Sequence, residues 1–370
     1  MLNLDELAEK LLESKKNTPK TCFVGFDGFT DEISRAVDKR SDGNKFSYIP
    51  TIKEFAKRVA NASNKSCNIE LIYQQKKLGG NAPILTNALL KTGHCITFAG
   101  TIGLPGKIET IFQPMAELCK KTISLGPSSY SDAVEFQDGK VIFGKLSSLS
   151  TVNYKNLISQ INEKDLIKTL EHTDLFASVN WTMLPEMTKL WQDLLQKIVP
   201  SFSSPEKKRY LFVDLADPAK RSDQDLKEAL ETLLSFSTSY KVILALNAAE
   251  AQRLTQILPI PFKQSSENLS SLAKHLHENI PLSEIVIHKA ETASSSSKQG
   301  TYNVNFPLCK KPKLTTGAGD NFNAGYCKGV LQNFKPEESL ALGMASGGFY
   351  VRHAKSPSLE ELASFLMNSQ

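Results

Sequence analysis

The sequence lacks the features that would point to a membrane, an oxidising compartment or a zinc module. No stretch approaches the ~18 uninterrupted apolar residues that indicate a membrane-spanning helix. The six cysteines are scattered without a C-x-x-C pair, and no spacing of histidine, cysteine and aspartate resembles a zinc site. Residues 1–16 predict an amphipathic, charge-rich helix without the apolar core of a signal peptide. We therefore expect a soluble, cytoplasmic protein with free thiols.

Charge of one sign is not concentrated either. The 44 basic and 39 acidic residues leave a net charge of +5 that is spread along the chain. This distribution indicates no nucleic-acid partner, because such proteins carry a basic patch or stripe. One basic cluster, Lys310, Lys311 and Lys313, could favour nucleotide phosphates or could simply be a solvated face.

Strand-like and helix-like segments alternate along the chain, which predicts an α/β fold with a mostly parallel central sheet flanked by helices. We expect residues 1–370 to form a single domain. The serine run Ser294–Ser297 predicts an exposed loop. The predicted strands are Thr21–Phe26, Ile96–Gly100, Leu175–Asn180, Tyr210–Leu215, Lys241–Asn247 and Glu284–His288. The predicted helices include Lys107–Cys119, Pro185–Ile198, Asp223–Leu234, Leu269–Glu278, Pro336–Val351 and Ser358–Leu366.

A run of small residues near the C-terminus predicts an anion site at the start of a helix. Gly317, Ala318 and Gly319 keep bulky side chains away from the first helical turn. Its N–H groups, which lack intrahelical partners, can therefore converge on an anion beside the positive end of the helix dipole. Asp320 would lie next to that anion, where its carboxylate can accept a proton from an attacking hydroxyl. The segment is typical of phosphoryl transfer.

The same segment resembles the signature of the ribokinase-like sugar kinases, also called the PfkB carbohydrate kinases, which reads D-T-x-G-A-G-D. Thr315, the run Gly317–Gly319 and Asp320 are in register with it, whereas Leu314 replaces the leading aspartate. The resemblance implies a ribokinase-like fold, ATP and Mg²⁺ as cofactors, Asp320 as general base and the amides of the glycine run as anion hole. It also implies that Thr316 binds nucleotide phosphates.

A second match is Leu78–Ala82, which precedes a predicted helix at Pro83–Lys91 and resembles the family's N-terminal Gly-Gly signature. In the family these glycines let sugar hydroxyls approach the backbone. The resemblance thus implies acceptor binding by Gly79, Gly80 and Asn81. The asparagine that follows in the family is replaced by Ile84 here.

A third match is the N-x-x-E pattern formed by Asn247 and Glu250 at the end of an apolar run. From the residues alone, Asn247 predicts a helix N-cap with Glu250 as its capping-box partner. The resemblance implies a further role, in which both residues orient the water shell of Mg²⁺ and the nucleotide phosphates. The two interpretations are compatible.

Two aspartates follow the first predicted strand, at the edge where open α/β sheets bind ligands. The family uses one aspartate here to hold two sugar hydroxyls, and this sequence offers Asp27 and Asp31. We prefer Asp31, because it leads into the segment expected to form a lid. Asp27 remains an alternative, and either residue could simply close an Asx-turn.

Two regions with strand-like alternation lie where the family inserts a small β-lid over the sugar, at about residues 32–78 and 132–145. A helical piece near Ile52–Ala62 divides the first region. In the second, Asp138-Gly139 predicts a two-residue hairpin turn. A lid would exclude water from the activated phosphoryl group. The alternatives are an edge hairpin that extends the sheet, or a homodimer contact.

Several positions depart from the family pattern or stay open. Leu314 removes a carboxylate close to the family's monovalent-cation site, so we expect little potassium activation. The segment Ile285–Glu291 has no glycine where relatives carry a T-x-G-x-x-G nucleotide turn, and Ala99–Leu104 lacks the aspartate of the corresponding turn. His288, at a strand end, predicts a packed, hydrogen-bonded residue rather than a ligand. Three polar residues after a central strand could reach the phosphates or sugar, or could form a salt bridge or cap: Asp214, Asp217 and Arg221.

These features together predict an enzyme that transfers the γ-phosphoryl group of ATP to a hydroxymethyl group of a sugar or related small molecule. The alternative is a sugar- or nucleotide-binding regulatory protein that has kept the fold and lost turnover. It is suggested by Leu314, Ala290 and Ile84, which stand where relatives carry aspartate, glycine and asparagine. Retention of Asp320 and the intact N-x-x-E pattern favour the enzyme.

Overall fold

The computed structural model describes residues 2–204, 207, 209–260, 262 and 268–369, and these form two β-sheets with flanking helices. The strands are, in chain order, β1 (Thr21–Phe26), β2 (Phe29–Arg40), β3 (Phe46–Tyr48), β4 (Leu71–Gly79), β5 (Cys95–Thr101), β6 (Gly103–Leu104), β7 (Lys107–Ile108), β8 (Lys121–Gly126), β9 (Ser129–Phe136), β10 (Gly139–Lys145), β11 (Leu175–Val179), β12 (Tyr210–Asp214), β13 (Lys241–Asn247), β14 (Glu284–His288), β15 (Thr292–Ser297) and β16 (Gly300–Asn305). The α-helices are α1 (Leu4–Glu13), α2 (Ile52–Ala60), α3 (Asn81–Lys91), α4 (Gln113–Leu118), α5 (Tyr154–Gln160), α6 (Glu163–His172), α7 (Met187–Asp193), α8 (Asp223–Phe236), α9 (Ala248–Thr255), α10 (Leu269–Asn279), α11 (Ala318–Leu331), α12 (Pro336–His353) and α13 (Leu359–Met367).

The large sheet has eleven strands in the order β16-β15-β14-β13-β12-β11-β1-β5-β8-β6-β7. Its centre, from β14 to β8, is parallel, and antiparallel pairs extend both edges. The central strands are buried on both faces, as the apolar runs in their sequences require. Successive residues such as Phe23 and Val24 therefore contribute to separate hydrophobic cores. Helices α3, α11 and α12 cover one face, and α7, α8 and α10 cover the other.

The strand register places a row of polar residues along the carboxyl edge of this sheet. Asp27 directly follows β1, and Asn180 directly follows β11. Asp214 and Asn247 end β12 and β13, and His288 at the end of β14 is the registered neighbour of Asn247. Ligand sites of open α/β sheets lie at this edge. The fold therefore sets the spacing of these side chains.

The small sheet contains β10, β9, β2 and β3 in that order, with β4 also paired to β2. Only two residues, Asp27 and Gly28, separate β1 of the large sheet from β2 of the small sheet. Helix α2 packs against it through Ile52 and Phe55, which contact a core of four buried residues: Ala36, Ile49, Val134 and Phe136. The small sheet corresponds to the two regions that predicted a lid.

Most predicted elements are confirmed, including β1, β13 and β14 with the predicted bounds. All six cysteines are free thiols, as expected. None of the helices in the described part of the chain is long and apolar enough to span a membrane.

Three local predictions were wrong. The helix Lys107–Cys119 begins only at Gln113, because Pro105 and Gly106 connect β6 and β7 as a hairpin. The turn between β9 and β10 is Gln137-Asp138, because Gly139 already pairs with Phe136. The serine run is not an exposed loop but strand β15, which lies between β14 and β16. Two of its hydroxyls find partners on β16: Ser294 donates to Asn303 at 2.6 Å, and Ser296 contacts Thr301 at 3.0 Å.

Candidate active site

A cavity of about 380 Å³ lies between the carboxyl edge of the large sheet, the small sheet and the start of α11. It brings together most of the residues that the sequence motifs singled out. The predicted residues that line it are Asp31, Gly80, Asn81, Asn247, Glu250, Thr316, Gly317, Gly319 and Asp320. Asp27, Gly79 and Ala318 lie directly behind this lining.

Helix α11 starts at the cavity because Gly317 takes a left-handed conformation with φ of 93°. That conformation favours glycine, and an added side chain would also collide with the Tyr350 hydroxyl at 2.9 Å. The first intrahelical bond of α11 runs from the Asn321 N–H to the Gly317 carbonyl. The Ala318 N–H donates to Thr315 in a preceding turn, at 3.1 Å. The N–H of Gly319 therefore belongs to the unpaired first turn that faces the cavity.

Asp320 lies in this first turn and is buried. The Asn81 side-chain amide donates to its Oδ1 at 2.9 Å. Burial raises the pKa of the Asp320 carboxyl well above its usual value, and the negative charges of Asp214 and Asp27 act in the same direction. The hydrogen bond from Asn81 lowers the pKa and partly opposes them. Asp320 is therefore a stronger base than an exposed aspartate.

The two candidate aspartates after β1 occupy different environments. Asp27 is fully buried, and its carboxylate accepts bonds from the N–H groups of Asn81 and Ala82 at 2.9 and 2.7 Å. The Asn180 amide donates to the same group at 2.6 Å. Burial nevertheless raises the pKa of Asp27 to about 6. Asp27 thus holds the start of α3 against the sheet, and Asp31 is the aspartate that lines the cavity.

Asp31 lies on β2 opposite Lys77 of β4. Burial raises the pKa of Asp31, while Lys77, Ser131 and Lys140 counteract that rise. Gly79 lies beside the carboxylate, and a Cβ at this position would come within 2.4 Å of it. Glycine at position 79 therefore leaves the room that the Asp31 side chain occupies.

Asn247 and Glu250 form the predicted capping box at the start of α9. The Asn247 side chain accepts from the N–H of Glu250 at 3.0 Å, and Glu250 Oε2 accepts from the N–H of Asn247 at 2.8 Å. Glu250 Oε1 also accepts from the N–H of Asp217 at 2.8 Å. Burial and the nearby charge of Asp214 raise the pKa of Glu250. The capping interpretation is confirmed, and the carboxylate also lines the cavity.

Of the three polar residues after β12 whose roles were left open, two line the cavity and the third does not. Asp214 and Asp217 line the cavity. Asp214 accepts from the Asn323 amide at 2.7 Å, and burial raises its pKa. Arg221 instead contacts Asp225 at 3.2 Å and lies over the Trp181 ring, which is a structural arrangement.

Sequence reasoning missed two lysines of the small sheet that line the cavity. Lys77 belongs to β4, and Lys140 of β10 donates to the Thr316 hydroxyl next to the glycine turn before α11. Strand alternation carried a signal for Lys77, because it stands two residues before Gly79 and therefore on the same face. Lys140 could have been placed only from the pairing of β9 with β10.

A second cavity of about 360 Å³ lies on the other side of the α11 start. Apolar side chains dominate its lining, among them Phe306, Leu308, Phe322, Met344 and Val351. Within the described residues, the linings of the two cavities share Asn247, His288 and Gly319. The paired cavities suit an apolar ring system on one side and a polar small molecule on the other, with the first turn of α11 between them.

Comparisons with known proteins agree with this geometry. A sequence model of the prokaryotic ketohexokinase family matches residues 4–369. The ketohexokinase of Haloferax volcanii is 26% identical over 343 residues, which cover 92% of this chain and 89% of that protein. A carbohydrate kinase from Agrobacterium tumefaciens has a similar fold, with a TM-score of 0.64, 16% identity and coverage of 95% and 98% of the two chains. The ribokinase of Thermotoga maritima gives a TM-score of 0.62 at 17% identity, with coverage of 95% and 100%.

The fold and the site define an ATP-dependent carbohydrate kinase of the ribokinase-like (PfkB) class, so the predicted class and fold are confirmed. Within that class, the chain belongs to the prokaryotic ketohexokinase family.

Proposed function

We propose that the chain transfers the γ-phosphoryl group of ATP to a hydroxymethyl group of a ketohexose. The observation that carries the proposal is the position of Asp320, a buried carboxylate at the start of α11 in the cavity between the two sheets. The name of the Haloferax relative supports a six-carbon ketose as acceptor. The polar lining contributed by the small sheet suits a polyhydroxylated molecule.

Asp320 is the proposed general base. Its carboxylate accepts the proton of the attacking hydroxyl as the new O–P bond forms and the bond between the γ-phosphorus and the bridging oxygen of ATP breaks, which releases ADP. The raised pKa of Asp320 brings its basicity closer to neutral pH, where proton transfer is most effective. Asn81 keeps the carboxylate oriented through its hydrogen bond.

The glycine turn is the proposed anion hole. Gly317, Ala318 and Gly319 place backbone N–H groups and the positive end of α11 at the point where negative charge develops. Because the Ala318 N–H donates to Thr315, the Gly319 N–H carries the larger share. Thr316 lies beside this turn, within contact of the Lys140 ammonium group, which supports its assignment to the nucleotide phosphates.

The nucleotide is proposed to occupy the second cavity, whose apolar lining suits an adenine ring. Its phosphates would pass Asn247 and Gly319 towards the first cavity, since both residues line both spaces. No group of three or more His, Cys, Asp or Glu in the described part of the chain could hold a metal ion. Magnesium usually binds through one or two carboxylates, substrate phosphates and water, so Glu250 fits the expected contact through water. When bound with the nucleotide, Mg²⁺ would neutralise phosphate charge.

The acceptor is proposed to bind against the small sheet. Asp31 is the preferred partner of two sugar hydroxyls, because it lines the cavity and Asp27 does not. Gly80 and Asn81 lie on the same wall, and Gly79 makes room for the Asp31 side chain. The small sheet would act as the lid that keeps water from the phosphoryl group.

A homodimer formed through the small sheet belongs to the same proposal. Tyr73, Ile142 and Phe143 are about half exposed, at 57%, 51% and 49%. Light scattering of the purified protein would detect a dimer. A cytoplasmic location fits an enzyme that uses ATP.

The test is a coupled assay of ATP consumption by the purified protein with ketohexoses, aldohexoses, pentoses and nucleosides. We expect ketohexoses to give the highest kcat/KM, with a sugar phosphate as product. Asp320→Asn should keep ligand binding and lose roughly 10²–10⁴-fold in kcat, the usual contribution of a positioned base. Binding of sugar and ATP without turnover would instead support the regulatory alternative. An Asp320→Asn variant with most of the wild-type activity would remove Asp320 from the mechanism.

A further inference from the structure

His288 lies where the two cavities meet, at the end of β14. We infer that His288 is a further catalytic residue, whose imidazole donates a hydrogen bond to the phosphoryl group as it passes from nucleotide to sugar. The inference rests on the proposed function and adds a residue for which the sequence motifs gave no role. His288 is packed at a strand end, as the sequence predicted, and the inference adds a ligand contact that the sequence did not predict.

The backbone register brings His288 to this point. Three buried apolar residues, Ile285, Val286 and Ile287, fix β14 inside the sheet, and His288 is the next residue along the strand. Its Cα is paired with that of Asn247 on the neighbouring parallel strand. Of the described side chains that line both cavities, only Asn247 and His288 carry polar groups.

The ring orientation is set by contacts on two sides. The imidazole stacks on the buried Phe322 ring, with centroids 4.5 Å apart and an interplanar angle of 27°. A Cβ built on Gly319 would lie 3.6 Å from His288 Cε1 and 3.8 Å from Nε2. The Nε2 edge of the ring therefore faces the first turn of α11, where the N–H groups bind the anion. Glycine at position 319 leaves that edge open.

The protonation state agrees with a donor role. Burial lowers the pKa of His288 to about 4, so the imidazole is neutral near pH 7. A neutral imidazole carries one N–H donor and one acceptor. It can therefore donate to a phosphate oxygen without adding a positive charge next to the helix N-terminus, which already repels cations.

The expected size of the effect follows from the type of bond. Loss of a hydrogen bond to a charged group lowers the rate by roughly 10- to 10²-fold. His288→Phe keeps a ring that can stack on Phe322 and removes the donor. His288→Gln restores an N–H donor of similar reach. The matched control is His353→Phe, because the His353 ring also contacts a phenylalanine, with its centroid 4.2 Å from that of Phe349, but His353 is exposed at the end of α12.

The experiment measures kcat and KM with ATP and a ketohexose, calorimetric affinities for ATP and for adenosine, and thermal unfolding. We expect His288→Phe to lower kcat by roughly 10- to 10²-fold, to weaken ATP but not adenosine, and to leave acceptor KM nearly unchanged. His288→Gln should recover most of the loss, and His353→Phe should match the wild type. Wild-type kcat in His288→Phe, or equal losses in both His288 variants, would overturn the inference.

A second variant and a separate affinity measurement cover the cases in which His288→Phe does not fold or the wild type shows no turnover. If His288→Phe does not fold, His288→Leu removes the same donor with a smaller side chain. If the wild type shows no turnover with any ketohexose, the proposed function fails, and His288 is then judged by nucleotide affinity alone. In that case an unchanged ratio of ATP to adenosine affinity in His288→Phe would overturn the inference separately.

Discussion

Replacing Asn81 by alanine should move the acid limb of the pH–rate profile to higher pH. Asp320 accepts a proton only as a carboxylate, so activity is lost as pH falls through its pKa. The Asn81 amide donates to Asp320 Oδ1 at 2.9 Å and thereby stabilises the ionised form. Without this donor the carboxyl holds its proton more strongly, because burial and the charges of Asp214 and Asp27 continue to raise its pKa.

The magnitude follows from the type of hydrogen bond. A hydrogen bond to a charged group contributes about 1.5–3 kcal/mol, and one pKa unit corresponds to about 1.4 kcal/mol, so the limb should move by roughly one to two units. The assay is kcat/KM for the ketohexose as a function of pH, which reports the free enzyme. The acceptor KM is expected to rise as well, because Asn81 lines the cavity, but a change in KM does not move the limb.

A matched control separates this effect from general loss of an amide. Asn17 donates to Gln332 at 2.7 Å on the exposed surface, so Asn17→Ala should leave the profile unchanged. An Asn81→Ala enzyme that is folded and active, with its acid limb at the wild-type position, would refute the assignment of that limb to Asp320. A shift to lower pH would refute the sign of the argument.

Two other perturbations test the metal and the cation. Glu250→Gln should raise the Mg²⁺ concentration needed for half-maximal rate more than it raises the acceptor KM, and should cost about 1 kcal/mol of stability through the capping box. The control is Glu361→Gln in the capping box of α13, which should lower stability without changing the Mg²⁺ concentration needed for half-maximal rate. If the two variants needed the same Mg²⁺ concentration, Glu250 would have the capping role alone. Potassium at constant ionic strength should have little effect on rate, because Leu314 supplies no carboxylate. Strong activation would mean that the alignment of Leu314 with the family's aspartate is incorrect.

The elements most readily predicted from sequence were those fixed by continuous burial. Strands such as β1 and β13 are apolar runs that only a doubly covered parallel sheet can bury, so their bounds followed from local pattern. The capping box of Asn247 and Glu250 was equally local, since its partners are three residues apart. The glycine turn before Asp320 was found for the same reason.

The failures involve partners that are distant in sequence. The polar run Ser294–Ser297 could not be recognised as a strand, because the hydroxyls of Ser294 and Ser296 pair with side chains of β16, which are distant from any local pattern. Asp31 was preferred to Asp27 from its position before the lid segment, but the contacts that bury Asp27 could not be foreseen, because its carboxylate binds N–H groups 54 and 55 residues away. His288 lines the cavities because it stacks on Phe322, which no local pattern reveals.

The row of polar strand ends has a spacing that is set by the sheet. Neighbouring strands are about 4.8 Å apart, so four steps from β1 to β14 span roughly 19 Å along the edge of the sheet. That distance is maintained by backbone hydrogen bonds, and substitution of a side chain in the row leaves it unchanged. The backbone pairing of the strands therefore fixes the spacing of five positions, whatever side chains they carry: Asp27, Asn180, Asp214, Asn247 and His288. A substitution during divergence can alter the chemistry at one of these positions while its distances to the others are preserved.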